Sequence, residues 1–233
     1  MKEQRFPILK KAFMTSLPVL AGYVVLGAGF VMVLKAKGYG VIWAAAMSVF
    51  IYAGSMQFVA TDLLAGGAGL LTAALTTLLV NARHLFYGIS MIDRYKNTGK
   101  SKPYLIFGLT DETYSLLVSD DQSLPKKERT RYYLLVSALN QSYWITGSLL
   151  GSILGTLLDF NTAGIDFSLT ALFLTIVVDQ WRGGKHHLST VLGLLASVAC
   201  LLVFGPDQFL IPSMILILAM MFGIRKREEV LHE

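Results

Sequence analysis

Long apolar runs recur along the whole chain and alternate with short polar segments. A bilayer core about 30 Å thick is crossed by about 20 mostly apolar residues in helical form. Barrel strands would instead alternate apolar and polar positions. The pattern therefore predicts an all-α polytopic membrane protein with about seven or eight transmembrane or re-entrant helices. The clear runs are Leu17–Leu34, Gly40–Ala60, Leu70–Met91, Tyr132–Leu158, Phe167–Val178, Leu188–Phe204 and Phe209–Ile224, and Tyr104–Val118 is shorter and interrupted by polar residues.

The polar connections between these runs are short. The longest, Asp93–Pro103 and roughly Ser119–Arg131, are too short to fold alone. We therefore expect residues 1–233 to form a single transmembrane domain.

Basic residues gather at the N-terminus and in several of these connections, which by the positive-inside rule places both termini in the cytoplasm. If Tyr104–Val118 spans the membrane, the basic segment Arg94–Lys102 falls outside. If it does not span, the N-terminus is pushed outside unless an earlier segment re-enters. This conflict indicates a broken or re-entrant element in the middle of the chain.

Composition supports a membrane location and argues against other classes. Hydrophobic residues make up 54% of the chain and charged residues 15%, whereas soluble domains carry roughly 25% charged residues. The net charge of +5 comes from basic residues in short loops, so it indicates topology and a lipid bilayer, and no nucleic-acid partner. Cys200 is the single cysteine, and metalloprotease, hydrolase and P-loop motifs are missing from the sequence. We therefore expect neither an enzyme nor a metal or cofactor site.

A weak internal similarity relates two parts of the chain. The segment from Thr72 to Arg83 resembles the segment from Thr170 to Trp181, since each begins Thr-Ala and ends in a polar cluster. Two three-helix units of opposite orientation, followed by C-terminal helices, would give the inverted repeat common in secondary transporters. Chance alignment of apolar sequence is the alternative.

Polar side chains within apolar runs are the candidates for function, because burying them in hydrocarbon is costly unless they face a cavity or a partner. The first group lies in Ala53–Phe58, where Gly54, Ser55 and Gln57 are candidate substrate-binding residues. Glycine and serine there could also permit a local break in the helix. Plain helix packing is the alternative.

The second group is Asn81, Arg83 and His84, at the end of an apolar run. Arginine can form a bidentate pair with a carboxylate, and histidine titrates near neutral pH. Asn81 and Arg83 are candidate substrate-binding residues, and His84 is a candidate for proton or ion coupling. An interfacial anchor is the alternative.

The third group is Asp111 and Glu112, two adjacent acids in a short apolar run. Neighbouring helix positions point about 100° apart, so the two cannot face one pocket. One could pair with Arg83 and the other could bind an ammonium group or carry a proton. The alternative is a helix start, with acids near the positive end of the dipole.

Two further features point to weaker roles. Asp179 ends a short apolar run beside Trp181 and is a candidate coupling residue, although membrane-edge decoration is the simpler interpretation. Gly147, Gly151 and Gly155 share one helix face, which predicts a packing seam against another helix of this chain or of a partner and leaves a higher oligomer open.

The ordered set Ala53–Phe58, Asn81–His84, Leu109–Thr113 and Asp179–Gln180, with the leading Leu17-Pro18, resembles the AzlC family of bacterial membrane proteins over nearly the whole chain. Met56 departs from the small residue expected at its position. The resemblance implies the large subunit of a two-component exporter of branched-chain amino acids in the bacterial inner membrane. It also implies a separately encoded small AzlD-like membrane subunit of about four helices.

Secondary export of leucine, isoleucine and valine, with methionine as a further candidate, is thus the leading hypothesis, and Met56, Phe58 and Phe86 could line a pocket for the aliphatic side chain. A non-transporting assembly subunit, suggested by the glycine seam, is the first alternative. An intramembrane enzyme that uses His84 with Asp111 is the second.

Overall fold

The structure is a computed structural model that describes residues 5–118, 124–157 and 187–205, with short stretches between 174 and 220. Every regular element in these ranges is helical. The chain divides into a unit that ends at Leu169 and a second that begins at Thr170. The helices are α1 (Arg5–Ala36), α2 (Val41–Phe50), α3 (Gly54–Ala65), α4 (Leu70–Val80), α5 (Arg83–Tyr95), α6 (Lys102–Phe107), α7 (Asp111–Val118), α8 (Lys126–Leu157) and, in the second unit, α9 (Leu188–Phe204).

Helices α1 and α8 form the framework of the first unit. Each has 32 residues, which corresponds to a length of about 48 Å. The predicted glycine seam lies between them, because a Cβ atom on Gly147 would come within 2.7 Å of the carbonyl oxygen of Tyr23. A Cβ atom on Gly151 would come within 2.8 Å of the Ala28 carbonyl oxygen. The seam therefore serves packing inside this chain, where small residues let two helix backbones approach closely.

Side chains extend this contact at both ends of the helix pair. Lys35 Nζ donates a hydrogen bond to the carbonyl oxygen of Gly155. Ser16 and Tyr143 share a buried hydroxyl–hydroxyl hydrogen bond of 3.0 Å.

The first helix break in the described part of the chain separates α2 from α3. Tyr52 has a φ of 42° and is 3% exposed. Residues with a Cβ atom rarely adopt this left-handed conformation, so the chain cannot continue as a helix there. The ring is held by the surrounding protein, including an edge-on contact with Tyr23 at 6.5 Å between ring centroids.

Two further breaks separate α4 from α5 and α6 from α7. At Asn81–Ala82 the backbone takes short-range hydrogen bonds, such as Ala82 N to Leu79 O at 3.2 Å, in place of the regular ladder. At Gly108–Thr110 the chain turns, and Thr110 Oγ1 accepts a hydrogen bond from Thr113 N at 3.3 Å. That contact is a side-chain cap for the start of α7.

These breaks correct the predicted runs. Leu70–Met91 was expected to be continuous and is divided into two helices, because apolar composition does not reveal a backbone turn. Gly40–Ala60 is also divided, directly before Gly54 and Ser55, where the sequence left a local break open. Tyr104–Val118 is also divided, into α6 and α7, in keeping with a broken element. Phe167–Val178 and Phe209–Ile224 lie largely outside the described residues, as does the second half of the proposed repeat.

Large apolar side chains cover the outside of the helices. Ile42 is 80% exposed, Leu70 is 92% exposed and Leu202 is 81% exposed. Among the described helices, one, Pro7–Ala36, is long and apolar enough to cross a membrane by itself, and Val41–Phe50, Leu70–Val80 and Thr190–Phe204 are shorter apolar helices. Half-length helices in pairs are the form that broken membrane spans take.

Candidate functional site at three helix breaks

The N-terminal ends of α3, α5 and α7 meet at one polar cluster. Arg83 Nη1 lies 2.5 Å from Asp111 Oδ2. Arg83 Nη2 donates a hydrogen bond of 2.6 Å to Ser55 Oγ. One guanidinium group therefore links the first turns of three helices, each of which follows a break.

The Arg83–Asp111 ion pair is only partly buried. The Arg83 side chain is 31% exposed and the Asp111 side chain 26%. Charges in such a position are screened less than on an open surface, and they can still be reached by a solute. The guanidinium also presents a planar fork that suits a carboxylate.

Glu112 points into a second, more buried set of hydrogen bonds. Tyr23 Oη donates to Glu112 Oε2 at 2.7 Å and shares a hydrogen bond of 2.7 Å with Thr110 Oγ1. Asn140 Nδ2 of α8 donates to Thr113 Oγ1 at 2.9 Å. The two adjacent acids thus take different partners, as their angular separation on a helix requires. They also begin α7, so the expectation of a helix start holds alongside these contacts.

Aromatic rings form the wall behind the cluster. Tyr23 and Trp144 meet edge to face, with ring centroids 5.4 Å apart, and Trp144 stacks on Phe30 at 6.3 Å. A Cβ atom on Gly54 would lie 3.3 Å from Trp144 Cη2. Glycine at the start of α3 therefore lets the indole ring cover the break. Phe58 packs on Phe30 at 5.8 Å, so it belongs to this core and not to an open pocket.

The remaining candidates of the first two groups lie close by in sequence but have other surroundings. Gln57 is fully buried, and neither atom of its amide has a hydrogen-bond partner among the described residues. The Asn81 carbonyl oxygen accepts a 2.9 Å hydrogen bond from His84 N and faces His84 Nδ1 at 3.2 Å. The His84 ring contacts Tyr87 edge to face, at 5.7 Å between centroids. Asp179 lies outside the described residues.

Sequence reasoning missed Tyr23 and Trp144. Both lie inside long apolar stretches, where an aromatic ring is most simply interpreted as core. The available signal was the single tyrosine in the apolar middle of the first run, since a buried Tyr hydroxyl normally has a hydrogen-bond partner.

Comparison with known proteins agrees with a membrane role. The family described as AzlC protein matches residues 18–158. The chain is 42% identical over 226 residues to the branched-chain amino acid transport protein AzlC of Bacillus subtilis, covering 97% of this chain and 88% of that protein. It is 40% identical to an uncharacterized membrane protein of Helicobacter pylori (94% and 96% covered) and 30% identical to the inner membrane protein YgaZ of Escherichia coli (86% and 82% covered). No solved structure matches the chain.

Proposed function

This chain belongs to the AzlC family, and we propose that it exports leucine, isoleucine and valine across the bacterial inner membrane as the large subunit of a two-component secondary transporter. Family membership and its membrane-protein relatives make it a membrane protein with a role in transport. The substrate class, the outward direction, the AzlD-like small subunit and the cytoplasmic position of both termini are parts of the proposal.

The Arg83–Asp111 ion pair is the observation that supports this proposal most directly. A free amino acid is a zwitterion, with one carboxylate and one ammonium group. When such a zwitterion inserts between Arg83 and Asp111, its carboxylate would pair with the guanidinium and its ammonium group with the Asp111 carboxylate. Each protein charge keeps an opposite partner throughout, so no uncompensated charge is left in a partly dehydrated site.

The three breaks supply further groups for the substrate. At the start of α3 the first backbone N–H groups have no partner inside the helix, whereas at the start of α5 the N–H groups of His84 and Leu85 already bond the carbonyl oxygens of Asn81 and Ala82. Such half-helix starts near the middle of a membrane bind carboxylates in secondary transporters. Ser55, which already bonds Arg83, and the unused amide of Gln57 add neutral hydrogen-bonding capacity beside them.

An ion or proton gradient would drive the transport, because the sequence has no nucleotide-binding motif. Glu112 is the first candidate for the coupling residue. It is held by the Tyr23 hydroxyl, and it stands next to the ion pair without belonging to it. His84, Asp111 and Asp179 remain the other candidates.

The alternatives have less support. An assembly subunit was suggested by the glycine seam, and Gly147 and Gly151 are occupied by α1 of this same chain, so the seam is not free for a partner. An intramembrane enzyme would use His84 with Asp111, but the His84 Nδ1 atom faces the Asn81 carbonyl oxygen and Asp111 is paired with Arg83. We therefore expect no enzymatic activity.

Efflux from loaded proteoliposomes tests the proposal. Vesicles that contain this chain, the AzlD-like subunit or both are loaded with labelled leucine, isoleucine, valine, lysine and aspartate. We expect the two proteins together to release the three aliphatic amino acids faster than either protein alone, and to retain lysine and aspartate. Equal release from all vesicles, or release of all five amino acids alike, would refute the proposed function.

A further inference from the structure

A cavity of about 320 Å³ lies between α5 and α6, and its lining includes His84, which follows Arg83 in the chain, and Leu109, which lies two residues before Asp111. It begins at His84 and Leu109, which adjoin two of the breaks, and extends to Tyr95 and Lys102. Residues 84 to 95 of a helix rise about 16 Å, which is about half the thickness of a bilayer core. This α5/α6 cavity thus runs from residues that adjoin two members of the polar cluster in sequence to the far ends of the two helices.

The walls of the α5/α6 cavity are mostly apolar. Gly88, Met91, Ile92 and Ile106 line its length, and polar atoms contribute little of its surface. Apolar walls favour methyl and methylene groups by removing them from water. Along this apolar length, between His84 at one end and Tyr95 and Lys102 at the other, a charged or amide side chain would lose its hydration without gaining hydrogen bonds.

We infer that the α5/α6 cavity receives the aliphatic side chain of the substrate while the Arg83–Asp111 pair holds its charged groups, and that Gly88 sets the side-chain size that fits. This inference rests on the proposed function. It places the pocket on other helices than α3, whose Met56 and Phe58 are 4% and 1% exposed and packed into the core.

Gly88 has no packing reason to be glycine. A Cβ atom there would meet no other atom within 4 Å, and the residue lies inside α5. Glycine in a helix interior is about 1 kcal/mol less favourable than alanine. Since the space in front of Gly88 is the cavity itself, a larger side chain at this position reduces the cavity volume that is open to the substrate. It does not displace neighbouring residues.

Two variants with opposite effects on cavity volume test the inference. Gly88→Val reduces the volume, whereas Ile92→Ala, which truncates a cavity-lining side chain that is 57% exposed, enlarges it with little cost to the core. Gly22→Val is the matched control, because Gly22 lies on α1 and a Cβ atom there also meets nothing within 4 Å. Each variant is reconstituted with the small subunit in vesicles loaded with equal amounts of valine and leucine.

The readout is the ratio of initial leucine to valine efflux, which does not depend on the amount of protein. One methylene in a hydrophobic pocket changes discrimination by roughly 10- to 200-fold, so we expect Gly88→Val to lower the ratio by about tenfold. Ile92→Ala should raise it, and Gly22→Val should leave it unchanged.

Unchanged ratios in both cavity variants would overturn the inference, and this is also the outcome if a lipid chain occupies the cavity. If Gly88→Val does not reconstitute, the Ile92→Ala ratio alone decides the question. Wild-type vesicles that release neither amino acid would instead refute the proposed function, so the two failures are distinguishable.

Discussion

The first unit combines two kinds of helix that differ in continuity. Helices α1 and α8 run for 32 residues each and pack along a seam of small residues. Beside them, α2 with α3, α4 with α5, and α6 with α7 are pairs of 6 to 13 residues per helix. The charged side chains Arg83, Asp111 and Glu112 begin helices of the second kind.

This difference has a physical basis. A continuous helix satisfies its own backbone groups and can therefore be built from apolar residues alone. A break releases N–H and C=O groups, which are tolerated inside a membrane only where protein or water satisfies them. The broken helices can therefore present polar groups to a solute. The continuous pair packs against the breaks through Tyr23 of α1, which bonds Glu112, and Trp144 of α8, which covers Gly54.

The largest expected effect comes from disrupting the continuous pair. Gly151→Val would place side-chain atoms where the Ala28 carbonyl oxygen and Cβ lie, 2.8 and 2.9 Å from the position of a Cβ atom. We expect a loss of stability of about 3 kcal/mol, at the upper end of the usual cost of overpacking. Thermal unfolding of the purified protein in detergent measures it.

Gly29→Val is the control for this substitution. Gly29 lies on α1, where a Cβ atom meets nothing within 4 Å, so it should shift the unfolding midpoint little. A Gly151→Val protein as stable as this control would show that the seam does not hold the two helices together.

The second largest effect is expected when a charge is removed from the broken helices, a change that leaves the contact between α1 and α8 intact. Arg83→Gln and Asp111→Asn each remove one charge of the ion pair. A hydrogen bond to a charged group contributes about 1.5–3 kcal/mol, so efflux should fall about 10- to 100-fold. The double variant Arg83→Gln/Asp111→Asn should be more stable than either single variant, because no uncompensated charge remains, and still be inactive.

The double variant separates a substrate role from a structural one. If it recovers both stability and transport, the pair serves only to hold α5 against α7. Lys100→Gln, which removes an exposed positive charge outside the site, should leave efflux unchanged and controls for the change in net charge.

The smallest of the three effects tests the contact between the two kinds of helix. Tyr23→Phe keeps the aromatic ring against Trp144 and removes the hydroxyl that bonds Glu112 and Thr110. Losing one such hydrogen bond should slow efflux roughly fivefold to tenfold. Initial efflux rates at equal protein content give the value.

Tyr143→Phe is its matched control on the other continuous helix. It removes the hydroxyl that bonds Ser16, a contact between α1 and α8 that lies apart from the breaks. Equal slowing by both substitutions would mean that Tyr23 acts through the framework and not through Glu112.

The sequence alone predicted the helical class and the charged side chains of the polar cluster, but not Tyr23. Ser55, Arg83 and Asp111 were selected because burying a polar or charged side chain in an apolar run costs free energy. Such residues can be recognised from the sequence without coordinates. The extent of α9 also matches the predicted run Leu188–Phe204. A uniformly apolar run is predicted as one helix, so only its two ends have to be located in the sequence.

The pairings, and the exact positions of the breaks, could not be predicted in the same way. The first break lies at Tyr52, whose left-handed φ is imposed by its surroundings and not by a glycine or proline at that position. The bond between Ser55 and Arg83 joins residues 28 apart, and Tyr23 meets Glu112 across 89 residues. Such contacts depend on how helices are arranged in space, which hydropathy does not encode.

The position of Arg83 also bears on leakage. Its two terminal nitrogens link the starts of α3 and α7 to α5, so a solute that binds the guanidinium would release both contacts. Under the proposed function, substrate binding and the separation of these helix starts would then be one event, and a solute that cannot bind Arg83 would leave the three helices linked.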